Sequence, residues 1–448
     1  MKTLPVGWTT AKLGDIAGKG QYGWTTKAAG AGSVQFLRTT DITKRSIDWH
    51  TVPWCEEEPA DVAKYRLAPG DIVISRAGSV GFSKLLADVP GLVVFASYLI
   101  RFKPSDVLDA RYLAAYLRSD SYWAAIASAS AGIAVSNVNA SSLAELEVPI
   151  APRAEQRRIA DKLDNVLARV DSVNDRLARV APLLKRFRQS VLAAATSGKL
   201  TEDWRRLHQQ PPVADLALQG ICQIGRVITY GVVKLGDEVA GGTPCLRTSN
   251  VRWLRFELDG MKSIRPSLSA EYGRTILQGG EVLVNVRGTL GGVAVAAPEM
   301  KGWNVSREVA VVPVDLQKAD PRFVALCVGS EEGQRWLTGV AKGVAYTGIN
   351  IEDLRSLPLK LPTLLEQAEI VRRVELLFAY AARLETRLQA AQTAAERLTP
   401  ALLAKAFRGE LVPQDPNDEP ASELLKRLTA QRPPARPRGR KPAARTSE

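Results

Sequence analysis

In EQRRIADKLDNVLARVDSVNDRLARVAPLLKRFRQSVLAA, residues 155–194, the apolar positions recur by alternating steps of four and three. They are Ile159, Leu163, Val166, Val170, Val173, Leu177, Val180, Leu184, Phe187 and Val191. This is the a/d seam of a heptad and predicts a long helix. A second run has the same spacing: Ile370, Val374, Leu377, Ala381, Leu384, Leu388, Ala391, Ala395, Leu398 and Leu402. Its three alanines permit close helix approach. Thr363-x-x-Glu366 reads as a capping box, and Gly198 and Gly409 stand where a C′ glycine belongs. Pro182 and Pro400 are expected to kink or break the last turns, since each removes an amide and crowds the preceding turn.

Elsewhere the apolar runs are short. DIVIS, LVVF, EVLVNV and VAVAA are bounded by Gly and Pro and read as strands joined by turns. Helical spacing returns briefly at 109–127 and 320–338. Two α+β globular modules therefore alternate with two long helices.

Phrases recur in order along the chain. FLRTTDI (36–42) returns as CLRTSNV (245–251), and LAPGDIVISRAGSVG (67–81) as LQGGEVLVNVRGTLG (277–291). From Asp109 onward the offset is constant at 211: GIAVSNVN (132–139) matches GVAYTGIN (343–350), EQRRI (155–159) matches EQAEI (366–370), and SGKL matches RGEL. The chain is a tandem duplication. KLGDIA (12–17) pairs with KLGDEV (234–239), which places a 13-residue excess in the first copy between Asp15 and Leu37. The boundaries that follow are a first module at 1–152, a helix at 153–198, a linker at 199–221, a second module at 222–362, a helix at 363–412 and a C-terminal segment at 413–448. Equal lengths and opposite placement favour an intramolecular antiparallel helix pair over homodimerisation.

Charge narrows the class of partner. The 448 residues carry a formal charge of +13, which points to a polyanion. No stretch of 18 apolar residues occurs, and the start MKTLPVGW lacks the apolar run of a signal peptide, so the expected location is cytoplasmic, with no membrane partner. The 4 cysteines have no CxxC spacing and only 2 histidines are present, which argues against a zinc site or a disulfide framework. No phosphate-binding glycine loop, metalloprotease helix or nucleophile elbow occurs, and no Asn/Asp-Pro-Pro-aromatic tetrad of an amino-methyltransferase. Catalysis by this chain is not expected.

The opening LPVGWTTAKLGDI, the phrase FLRTTDI, the turn GDIVISRAGSVG and the EQRRI at the helix start, each with its second copy, resemble the specificity subunit of type I restriction–modification systems. The resemblance covers residues 1 to about 430. It implies two target recognition domains like those of adenine-specific DNA methyltransferases, separated by two long helices that form an antiparallel coiled coil. It also implies that each domain reads one half of a split duplex sequence. The helices would bind two modification (methyltransferase) subunits that use S-adenosylmethionine, restriction subunits would join, and no cofactor or metal would sit in this chain. A stand-alone coiled-coil DNA-binding or architectural protein is the alternative.

Residues common to both copies cannot distinguish two half-sites, so Arg38, Thr39, Thr40 and Ser79, with Arg247, Thr248, Ser249 and Thr289, are candidates for phosphate contact or scaffold. For Arg38 and Arg247 a buried carboxylate or carbonyl partner is the open alternative. The Gly-Ser-Val-Gly and Gly-Thr-Leu-Gly turns read equally as amide donors to phosphate or as plain hairpins. Arg76 and Arg287 lie one residue apart relative to those glycines, which sets their equivalence in question. In the divergent stretches, Gln21 and Lys27 suit adenine and guanine, and Arg252 and Arg255 suit guanine. Trp123 and Trp336 lie on apolar helix faces and are expected in the core.

Overall fold

The computed structural model describes residues 4–130, 137–341 and 348–430. They form two compact units, one of Met1–Arg176 with Ala391–Glu448 and one of Leu177–Ala390. The repeated GIAVS and GVAYT stretches lie outside the described residues.

In the first unit, Thr9–Lys12 pairs antiparallel with Glu147–Ile150, closing the module on itself. A four-stranded antiparallel sheet follows the order Gln21–Tyr22, Leu99–Phe102, Ile72–Ser75, Ser83–Leu85. A second sheet runs Ala28–Ala29, Trp54–Cys55, Gln35–Leu37, Val93–Phe95, its last pair parallel. The strand Ile72–Ser75 is buried on both faces. Ile72 and Ile74 pack toward the helices with Tyr112 and Tyr122, and Val73 packs with Leu37 and Phe95. That double burial is why the run is continuously apolar rather than alternating. Trp123 stacks edge-on against Phe82 and Tyr122 at the margin of this core.

The second unit repeats the plan. Its sheet follows the order Thr229–Tyr230, Val309–Val312, Val282–Asn285, Val293–Val295. A three-stranded sheet, Lys262–Ile264, Thr243–Leu246, Asn304–Val305, lies beyond it, with the hairpin Val251–Arg252/Arg255–Phe256. Trp336 is partly buried against the main core.

The closing ladder corrects the start of the repeat. Ala214–Ala217 pairs with Pro358–Leu361 in the register in which Thr9–Lys12 pairs with Glu147–Ile150. Leu13 N–H donates to the Leu146 carbonyl, and Leu218 N–H donates to that of Leu357. Leu13, Ile16, Leu218 and Ile221 are all buried. The counterpart of KLGDIA is therefore ALQGIC (217–222), not KLGDEV, and the 13-residue excess in the first copy does not exist. Residues 214–221, expected in a linker, belong to the second module. The expected phrase misled because KLGDEV repeats the letters while ALQGIC repeats only the buried apolar pair.

The long helices are Arg153–Thr196 and Leu364–Ala406. Within the first unit, Ile159 and Leu163 share a core with Leu403 and Ala406; within the second, Leu184 shares one with Ala381 and Leu388, flanked by Leu177, Val180 and Leu384. In the first unit early residues of the first helix meet late residues of the second, and in the second unit Val191 and Leu192 share a core with Ile370 and Val374, so the pair is antiparallel and lies within one chain. Ile370, Val374 and Leu377 pack into the second module's core. The seam is not uniform: Val170 is buried, Val166 half-buried, and Val173 is 46% exposed.

Neither proline ends its helix. Leu184 and Phe187 follow Pro182 into the pair, and Leu403 and Ala406 follow Pro400 into the first core. Burial of such side chains, at about 1.5–3 kcal/mol each, offsets the roughly 3 kcal/mol of an internal proline. Gly198 and Gly409 adopt φ of +77° and +71°, the left-handed geometry that stops a helix. The capping box is half formed. Thr363 Oγ1 accepts from Glu366 N–H at 3.4 Å, but the Glu366 carboxylate turns away to Arg205.

Candidate nucleic-acid interface

The repeated Leu-Arg-Thr phrase ends a strand in each module, and its arginine is held differently in the two. Arg38 N–H donates to Asp41 Oδ2 at 2.9 Å, and its Nε and Nη2 reach the same carboxylate at 3.1 Å each. Asp41 is buried, so Arg38 takes the carboxylate-partner role. Asn250 stands in the corresponding place: Arg247 N–H donates to Asn250 Oδ1 at 3.0 Å, and Arg247 Nη2 donates to the Gly260 carbonyl at 2.6 Å. Thr39–Ile42 forms one helical turn, whereas Thr248–Asn250 is a turn. Thr40 and Ser249 are exposed, Thr39 and Thr248 half-buried.

Arg76 and Arg287 meet the same kind of partner from shifted positions. The Arg76 guanidinium lies 5.0 Å from the Tyr22 ring centroid, and that of Arg287 lies 5.9 Å from Tyr230. Tyr22 pairs with Ile100 and Tyr230 with Ala310, in matching strands. In backbone register Arg76 corresponds to Val286, since Val138 and Ile349 N–H donate to the Arg76 and Val286 carbonyls respectively. The one-residue shift is thus absorbed by the long side chains. Both tyrosines are about two-fifths exposed, at 41% and 43%. Sequence reasoning missed them because the mistaken register of the first strand separated Gln21–Tyr22 from Thr229–Tyr230.

The turns after these strands are tight. Gly78 and Gly288 adopt φ of +76° and +70°, and Gly81 and Gly291 +85° and +93°. A Cβ on Gly81 would approach Trp123 to 2.9 Å. Ser79 is half-buried and Thr289 exposed; the Thr289 carbonyl accepts from Asn285 Nδ2 at 3.1 Å.

The divergent candidates separate. Gln21 is a frame residue: its Nε2 donates to the Lys64 carbonyl at 2.8 Å, and its Oε1 accepts from Arg101. Lys27 is exposed. Arg252 Nε donates to Glu257 Oε2 at 2.9 Å, while Arg255, its cross-strand neighbour, is exposed.

The segment after the Leu-Arg-Thr phrase reaches the long helices in both modules. In the first, Arg45 pairs with Asp171 and Asp175 of the helix Arg153–Thr196 at 3.1 and 2.7 Å. In the second, Trp253 Nε1 donates to the Gly329 carbonyl, and its ring lies 5.9 Å from Phe378 of the helix Leu364–Ala406. Equivalent loops are thus tied to a helix by charge in one module and by aromatic contact in the other.

Burial pushes the thiols of Cys55 and Cys222 up to about 11 and those of Cys245 and Cys327 up to about 12, so all four stay protonated at neutral pH and poor as ligands or nucleophiles. Among the described residues no group of three His, Cys, Asp or Glu is placed to hold a metal, and no helix is long and apolar enough to cross a membrane.

The doubled α+β module and the paired helices define a duplicated two-domain protein. The type I restriction modification DNA specificity domain matches residues 5–181 and 217–391. The specificity subunit of the Escherichia coli EcoBI type I restriction enzyme is 33% identical over 331 residues, 69% of this chain and 70% of that one. That of EcoKI from Escherichia coli strain K12 is 33% identical over 384 residues, 82% of each chain. In fold, the HsdS subunit of Thermoanaerobacter tengcongensis superposes with a TM-score of 0.59 at 18% identity, covering 91% of this chain and 98% of that one. The chain belongs to the family of type I restriction–modification specificity subunits.

Proposed function

We propose that this chain is the non-catalytic sequence reader of a type I restriction–modification complex, each module contacting one half of a two-part duplex site. The observation that carries this reading is the common frame with unlike loops. Arg76–Tyr22 and Arg287–Tyr230 are equivalent, whereas the segments after Leu-Arg-Thr differ in fold, charge and anchoring. Equivalent residues suit phosphate, which is the same at every step, and unlike residues suit bases. Lys27 and Arg255, both exposed, are the base-reading candidates that remain free of a structural role.

In this account the long helices carry two modification subunits, which bind S-adenosylmethionine and transfer its methyl group, and restriction subunits join the assembly. Affinity purification of the tagged full-length chain from its host, with mapping of methylated adenines before and after deletion of its gene, tests the reading. A methyltransferase-sized partner, and loss of one split methylated motif on deletion, support it. Unchanged methylation with no such partner overturns it in favour of a stand-alone DNA-binding protein.

A further inference from the structure

The two modules differ by a carboxylate oxygen against an amide nitrogen at the position that decides whether the charge of the Leu-Arg-Thr arginine is compensated. Asp41 neutralises Arg38; Asn250, fully buried and also donating to the Glu257 carbonyl at 2.9 Å, reproduces the cap on Arg247 without its charge. Among the described residues the buried Arg247 Nε has no hydrogen-bond partner, and Arg247 Nη2 donates to the Gly260 carbonyl at 2.6 Å. Beside it, Lys262 lies opposite Cys245 in the sheet, and its Nζ donates to the Gly236 carbonyl at 2.6 Å. Burial pushes the Cys245 thiol up, and both cations act against it by favouring the thiolate, which places their fields together. Among the described residues neither is within ion-pair distance of a carboxylate.

A guanidinium and an ammonium held by neutral carbonyls are fixed in position with their charge uncompensated. Holding them this way costs side-chain entropy before any ligand arrives, so an arriving anion meets a site already ordered. An orphaned buried N–H is itself costly unless a partner completes it. At the corresponding place in the first module the arginine is already paired, with Asp41.

We propose that Arg247, with Lys262 beside it, is a contact to the phosphate backbone of duplex DNA that the first module lacks, switched on by asparagine at 250 where aspartate stands at 41. The proposal rests on the reading that the second module binds DNA. It assigns the two halves unequal shares of the sequence-independent affinity.

The test is the salt dependence of binding by the full-length chain, purified with its modification subunits, to a duplex of arbitrary sequence. Each phosphate contact contributes about 0.9 to the slope of log affinity against log salt. Arg247→Gln and Asn250→Asp are each expected to lower the slope by about that amount, and Asp41→Asn to raise it by up to the same, because asparagine already serves as the cap at 250. Lys262→Gln gives a second reading that leaves the cap untouched. A wild-type slope with no change in any of the four variants overturns the proposal while leaving the DNA-binding reading intact. Absence of salt-dependent binding by the wild type overturns that reading and the proposal with it.

Discussion

Arg205 closes on Glu366 with Nη2 and Oε1 2.6 Å apart, and the carboxylate is fully buried. Thr201 Oγ1 donates to the same oxygen at 2.7 Å. The pair ties the segment after the first long helix to the start of the second. At the corresponding place in the first unit, Glu155 accepts from Trp8 Nε1 at 2.9 Å, so the two copies meet the same buried glutamate with different donors.

Arg205→Ala strands that carboxylate and is expected to cost about 3–5 kcal/mol in urea unfolding. The double variant Arg205→Met with Glu366→Gln should recover much of the loss, since no buried charge then lacks a partner. A single variant as stable as wild type would contradict the account.

Glu369 supplies a pH signature. Hydrogen bonds from Arg372 and then Arg373 hold its carboxyl down to about 2 from an ordinary 4.5. A depressed folded value means the stabilisation is present above the unfolded value and is lost as pH falls through the folded one. The stability difference between wild type and Glu369→Gln should be constant at pH 5–7 and shrink below about 4.5 toward 2. A difference that grows on acidification would contradict the assignment.

The uneven seam makes a paired prediction. Leu184, 6% exposed beside Ala381 and Leu388, should cost about 2–5 kcal/mol on truncation to alanine. Val173→Ala, at the other position of the same heptad seam but 46% exposed, should fall within about 0.5 kcal/mol of wild type. Equal losses in denaturant unfolding would restore a continuous coiled coil.

The heptad seam, the duplication and the strand-rich modules were legible in the sequence because each rests on periodicity or repeated order. Val173 escaped because a period names a face but not whether anything covers it. The first strand of the second module escaped because ALQGIC keeps the buried Leu and Ile of KLGDIA and little else. Gln21 illustrates the limit for site residues: its chemistry suits adenine, but Arg101, brought in from 80 residues away, occupies its carbonyl oxygen. Asn250 is the reverse case, since its difference from Asp41 was visible and its meaning was not.

The Arg–Tyr stacks predict symmetry. If Arg76 and Arg287 both grip phosphate, Arg76→Gln and Arg287→Gln should weaken binding to any duplex by similar factors, about tenfold each, without changing the sequence preferred. Filter binding on specific and arbitrary duplexes checks this. An effect confined to one arginine would mean that their convergence on Tyr22 and Tyr230 is structural.

The central claim is that each module reads its own half of the site. Replacing residues 1–152 with the corresponding module of a relative, keeping both long helices, and mapping methylated adenines in the host genome tests it most directly. The account predicts a new word in one half of the motif and the original word in the other. A change in both halves, or in neither while the hybrid remains active, would contradict it.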